Sequence, residues 1–256
     1  MKILTKYKEL LAELTKREIK ARYKQSVLGY AWVILNPFFQ MLVMAFVFSK
    51  ILRITDLGVP YALFLYVGLL PWNLFAASLT SSMNSLVGNA SLLTKIYFPR
   101  EVFVLSTIAA KVIDFLLALI VLVLFFIFWK QGVTMNVLWV IPIFAIQQIF
   151  TYGLSLLLAA FNLFYRDIQY LFGLVILIWM YLTPVIYPTE MFPVGLRWIF
   201  KLNPMAVIIN AYRQVLLGGG MPNLTSLGLA LVLSLVMVGV GYKVFKSLEG
   251  MFADVV

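Results

Sequence analysis

The chain alternates long apolar runs with short polar breaks, and the runs have the length of membrane spans. They are Ala31–Ile51, Tyr61–Met83, Phe103–Trp129, Val137–Phe164, Ile168–Tyr187 and Leu224–Val244. Each offers about the 20 mostly apolar residues a helix needs to cross roughly 30 Å of hydrocarbon. The pattern predicts an all-α membrane protein with six transmembrane helices, folded as a single transmembrane domain over 1–256. An even number of spans returns the C-terminus to the side of the N-terminus.

Ahead of the first run, residues 1–30 are basic and amphipathic. Ile3, Tyr7, Leu10 and Leu14 recur at helical spacing, with Lys6, Glu9, Glu13, Lys16 and Arg17 on the other flank. Such a helix is expected to lie at the membrane interface, its apolar face toward the acyl chains and its lysines against anionic lipid. Eight of the twenty Lys and Arg residues sit here, and basic residues beside a first span hold that end inside. The expected location is the cytoplasmic (inner) membrane, multi-pass, with both termini cytoplasmic. No cleavable signal peptide is expected, because the positive region is too long and no short apolar core with a small-residue cleavage site follows it.

Two breaks between spans are unusual. Within 85–101, Leu86, Ala90, Leu93 and Ile96 give a short apolar face ended near Pro99, which suits either a membrane-parallel helix that another protein grips or a solvated turn anchored by Tyr97 and Phe98. Within 188–222, prolines and Gly218–Gly220 bracket the apolar pieces Val194–Leu202 and Pro204–Leu217, both too short to cross a bilayer. Asn203 is placed as an N-cap, Pro204 at the first helical position and Gly218 as a stop. Asn210, Arg213 and Gln214 fall on one face of that second piece. Re-entrant helices, or helices partly buried at the interface, both fit, and the former would mark a pathway mouth.

Composition narrows the chemistry. The chain is 63% hydrophobic and 12% charged, with a formal net charge of +10, well outside the globular range. Half of the basic excess belongs to the N-terminal segment, where it is a membrane signal, so no nucleic acid is expected as a partner. There is no cysteine and no histidine, which removes disulfides, thiolate nucleophiles, the usual metal sites and imidazole acid–base chemistry; no metal is expected. No phosphate-binding G-x-x-x-x-G-K-[ST] loop appears, so this chain is not expected to hydrolyse ATP.

Lys111 and Asp114 lie three apart inside the third span, spaced to pair on one helix face. Pairing offsets much of the roughly 2.5–3.5 kcal/mol that a lone charge costs at mid-membrane. The pair suits a transport pathway or a structural contact between subunits. The first two spans are rich in aromatics, Tyr66 and Trp72 among them. Most such rings form interfacial belts or packing contacts, and a minority would line a channel.

The run Lys16-Arg17-Glu18-Ile19-Lys20-Ala21-Arg22-Tyr23-Lys24-Gln25-Ser26-Val27-Leu28-Gly29-Tyr30-Ala31-Trp32, with Asn36-Pro37 after it, resembles the opening motif of the membrane subunits of type-2 ABC exporters of polysaccharides. Gly68-Leu69-Leu70-Pro71-Trp72, Asn89 through Lys95, Phe98-Pro99-Arg100-Glu101, Tyr165-Arg166-Asp167, Asn203-Pro204 and Tyr212-Arg213 follow in that family's order. The match runs along essentially the whole chain and is most similar to the O-antigen branch, with capsule and teichoic acid exporters alongside. The resemblance implies a homodimer with two nucleotide-binding ATPase subunits, which would hold Mg-ATP; no cofactor is implied on this chain. It implies that Asn89, Leu93, Lys95, Phe98, Pro99, Arg100 and Glu101 belong to a coupling segment docking on the ATPase, and that 188–222 forms an external gate. Tyr66, Trp72, Asn210, Arg213 and Gln214 become candidates for channel and gate. Arg22, Tyr23 and Lys24 could meet the pyrophosphate of an undecaprenyl-type lipid-linked glycan, or serve only as anchors to anionic lipid. A secondary transporter or channel using Lys111 and Asp114, and a membrane-embedded glycan-processing enzyme, are the rival readings.

Overall fold

The computed structural model describes residues 7–23, 26–51, 58–95, 98–193, 195 and 197–255. Lys24 and the side chains of Tyr23 and Lys95 lie outside the described residues. Among them the regular structure is entirely helical. In chain order the helices are α1 (Lys8–Tyr23), α2 (Ala31–Ala45, continued by a π turn Phe46–Ile51), α3 (Tyr61–Met83), α4 (Ala90–Lys95), α5 (Glu101–Phe128), α6 (Val140–Phe164), α7 (Ile168–Leu182), α8 (Trp198–Leu202), α9 (Pro204–Leu216), α10 (Leu224–Leu248) and α11 (Phe252–Val255).

Helix α3 is the centre of the bundle. Its sequence is apolar on most sides, as suits a helix surrounded by others, and it packs against α2, α5, α6, α7 and α9. Leu63, Leu65, Tyr66, Leu69, Phe75 and Leu79 along it are fully buried. Helices α6 and α10 form the longest seam, which closes at Gly153 and Gly241. A Cβ on Gly153 would sit 2.5 Å from the Val238 nitrogen, so only glycine permits this backbone approach. Close contact through small residues is how helices associate where lipid removes the ordinary hydrophobic drive.

Among the described residues five helical stretches are long and apolar enough to cross a membrane: Ala31–Ser49, Tyr61–Met83, Glu101–Phe128, Met135–Phe164 and Leu224–Val255. The sixth expected span, Ile168–Tyr187, is shorter than its apolar run. Helix α7 has 15 residues, about 22 Å at 1.5 Å per residue, against roughly 30 Å of hydrocarbon. It stops at Leu182 because Pro184 disfavours a helical conformation in the residue before it; Thr183 is extended, with φ −103° and ψ 136°.

The N-terminal helix also departs from expectation. The apolar side of α1 is spent on protein: Leu14 is buried against α5, with Tyr7, Leu10 and Leu11 packed beside it. Of the side expected to dip into lipid, Leu14 is buried and Tyr7 and Leu10 are half-buried against protein, while Ile3 lies outside the described residues. On its exposed side Lys16, 2.7 Å from Glu13, holds that carboxyl below its ordinary range.

Candidate functional site

A cleft of about 700 Å³ opens between α2, α3 and α5. Its walls are mostly apolar, contributed by residues such as Val33, Leu70, Leu74 and Phe115. Set into them is a polar row: Asn36 and Gln40, one turn apart on α2, and Asn73 on α3, whose amide donates to Gln40 Oε1 at 2.9 Å. Arg22, Lys111 and Asp114 also line it. The sequence placed Lys111 and Asp114 as partners; the structure gives Asp114 to Arg22 instead. That guanidinium reaches across from the end of α1 to the Asp114 carboxylate and also meets Glu18 at 3.5 Å. Arg22, a candidate for a carrier pyrophosphate or for anionic lipid, makes two carboxylate contacts in this chain.

The segment expected to couple to an ATPase is built from a short turn, Val87–Asn89, and α4. Most of the residues assigned to that role are turned inward. Leu93 and Phe98 are buried, with the Phe98 and Phe103 rings 5.1 Å apart. Glu101 is 0% exposed and pairs with Lys246 Nζ at 2.7 Å; Lys246 also holds Glu249 at 2.7 Å. The Arg100 amide donates to Glu249 Oε1 at 3.3 Å, its guanidinium bonds the Glu249 carbonyl, and it lies 5.7 Å from the Phe252 ring. Pro99 is half-buried, and its carbonyl accepts from the Val102 amide. These contacts tie the segment to the end of α10 and to α11. Asn89 accepts from Arg17 of α1 and donates to the Ser85 carbonyl at 2.7 Å. Among the described side chains of α4, Ser91 and Thr94 are the exposed ones.

The channel and gate candidates divide in the same way. Tyr66 and Trp72 are 0% and 2% exposed. The Tyr66 hydroxyl donates to the Ala118 carbonyl at 3.1 Å, and the Trp72 ring packs among Phe75 and Trp179. Neither faces an open surface, because α3 lies at the middle of the bundle. Helix α9 carries the cap read from its sequence: Asn203 Oδ1 accepts from the Met205 and Ala206 amides. Its C-terminal turn places the left-handed residue at Gly219, φ +61°, one position beyond the expected Gly218. Most of α9 is buried among α3, α6 and α10. Asn210, Arg213 and Gln214 grade from half-buried through buried to exposed. Gln214 Oε1 accepts from the Asn223 amide at 3.1 Å. Arg213 donates to the carbonyls of Pro184 and Val185, both at 2.5 Å, and lies over the Phe64 ring. It supplies donors where the helical hydrogen bonding of α7 has stopped, as backbone broken at depth requires.

Side chains that the sequence reading passed over do comparable work. Gln147 of α6 donates to the Pro71 carbonyl at 2.8 Å and accepts from the Tyr212 hydroxyl at 3.2 Å, joining α3, α6 and α9. Asn162 donates to the Met83 carbonyl and accepts from the Gln169 amide, fixing the end of α3 to the start of α7. A lone amide inside an apolar run is a visible signal, since it costs too much in lipid without a partner; its partner is not visible.

Residues 9–217 match the family model described as ABC-2 type transporter. The chain belongs to the ABC-2 type transporter family. The matched stretch runs from α1 through α9 and includes the cleft and the α4 segment. Relatives extend the likeness over nearly the whole chain. An O-antigen export system permease protein RfbA of Klebsiella pneumoniae is 35% identical over 96% of this chain and 95% of its own length. Its namesake in Myxococcus xanthus is 31% identical over 98% and 96%. The polysialic acid transport protein KpsM of Escherichia coli is 22% identical over 91% of both chains.

Proposed function

We propose that this chain is the channel-forming membrane subunit of an ATP-driven exporter that moves a lipid-linked, O-antigen-like polysaccharide out across the cytoplasmic membrane. The observation that carries this reading is the near end-to-end likeness to permeases named for O-antigen export, at 31–35% identity. The sequence holds no phosphate loop, so Mg-ATP is bound and hydrolysed by a separate subunit. Two copies of the chain form the channel and two ATPase subunits drive it.

In this arrangement both termini are cytoplasmic, and α7 with the extended stretch after it makes the fifth crossing. Helix α4 is the docking element: Leu93 and Phe98 root it in the bundle while Ser91 and Thr94 face the ATPase. A push on α4 passes through Arg100 and Glu101 to Lys246, Glu249 and Phe252, and so into α10. Helices α8 and α9 stand at the outer gate.

The test is purification from native membranes in gentle detergent, with copy numbers read by mass spectrometry. Two copies of this chain with two phosphate-loop ATPases, and a weaker complex in Ser91→Glu and Thr94→Glu variants, are the expected result. A complex lacking any ATPase in several detergents would overturn the exporter reading and favour a secondary transporter.

A further inference from the structure

Lys111 is the residue of the cleft whose charge the fold does not neutralise directly. It lies ten residues into α5, about 15 Å along the helix axis from Glu101, half-buried in the cleft wall. Both nearby carboxylates are engaged elsewhere: Arg22 takes Asp114 and Glu18. Among the described residues no carboxylate forms an ion pair with Lys111. An ammonium within a span is expensive unless it meets an opposite charge or water, and this one borders an open cleft.

We propose that the cleft between α2, α3 and α5 is a seat for a phosphate-bearing amphiphile, with Lys111 as its charge contact. The lining has the three parts such a molecule needs. Lys111 offers a point charge and donors to phosphate oxygens. The amides of Asn36, Gln40 and Asn73 offer neutral donors and acceptors to the hydroxylated part of the head. Apolar side chains such as Leu74 and Phe115 cover the start of the chain. A free inorganic anion would leave these apolar walls unused, and a neutral lipid would leave Lys111 unpaired. Arg22, of the N-terminal segment for which the resemblance implies a pyrophosphate contact, lines the same cleft and is held by Asp114, one turn from Lys111. The seat rests on the proposed function only for the ligand's source: the diphosphate of a lipid-linked glycan in one case, an ordinary anionic phospholipid in the other.

The test measures binding of geranylgeranyl diphosphate to the full-length chain, purified in detergent with its accompanying subunits, by native mass spectrometry. Saturable binding is expected, with none for geranylgeraniol. Lys111→Gln is expected to weaken it at least about tenfold, the loss of one charge-assisted contact, while Lys111→Arg retains it. Ala77→Phe, which fills the cleft and leaves every charge in place, is expected to weaken it equally and carries the test if Lys111→Gln fails to fold. Short-chain phosphatidylglycerol that competes as well as the diphosphate would support the seat and assign it to bulk lipid; poor competition would support it and assign it to a diphosphate carrier. Unchanged binding in both Lys111→Gln and Ala77→Phe, or no saturable binding to the wild-type chain, would overturn the proposal. Either negative result leaves ATPase co-purification untouched, so failure of the site and failure of the exporter reading are separable.

Discussion

Replacing Arg213 separates a gate residue from a structural one. The side chain is 7% exposed, spans from α9 to the carbonyls of Pro184 and Val185, and covers the Phe64 ring at 3.6 Å. Gly68 makes room for it, since a Cβ there would lie 2.5 Å from Arg213 Nη2. Arg213→Met keeps much of the stem and removes the donors. Each stranded carbonyl then costs about 1–3 kcal/mol, and the lost ring contact adds about 1–2 kcal/mol. Removing a buried cation returns part of its desolvation cost, so a net loss of about 2–4 kcal/mol is expected. At about 2–4 °C per kcal/mol for a chain of this size, the thermal midpoint falls by about 5–15 °C. Arg213→Lys, a single point donor, should fall between variant and wild type. The assay is thermal unfolding in detergent followed by tryptophan fluorescence, with amide hydrogen exchange read at 183–187. A midpoint within about 2 °C of wild type, unchanged protection there and an altered length of exported glycan would refute the structural account and restore Arg213 to the gate.

Two further outcomes follow from the packing. Gly153→Ala should cost about 1–3 kcal/mol through a clash with the backbone of α10, whereas Gly239→Ala, with nothing within 4 Å of the added carbon, should be neutral or slightly stabilising; thermal midpoints of the two variants compare them directly. Lys246→Met leaves the buried Glu101 carboxylate without its cation, and because Lys246 is itself one-third exposed the loss should be about 2–3 kcal/mol, below that for a fully buried pair. The double variant Glu101→Gln/Lys246→Met should recover most of it in a double-mutant cycle, and an additive cycle would show that the pair is not coupled.

The sequence by itself determined the class and the local grammar. Apolar runs of span length dictate helices in lipid, because an isolated segment can satisfy its own backbone only as a helix. Asn203 with Pro204 marked the start of α9 because a cap and a fixed φ act within one turn. The order of short motifs gave the family. What the sequence could not carry was pairing between distant elements. The i, i+3 spacing of Lys111 and Asp114 suggested a local pair, but Arg22, on a separate helix, takes Asp114. For Tyr66 and Trp72 the sequence leaves belt, packing and channel roles open, and it is the central place of α3 that buries both. The run 98–101, which the resemblance places in a coupling segment, gives no sign in the sequence that its polar groups meet Lys246 and Glu249 nearly 150 positions later. The end of α7 lies between these cases: Pro184 announces the break, while the carbonyls it frees are satisfied by Arg213 from α9. Span length, caps and breaks are set by neighbours in the chain, so they are legible in one dimension. Which charges, rings and amides meet depends on how the helices stack, and only the tertiary structure decides that.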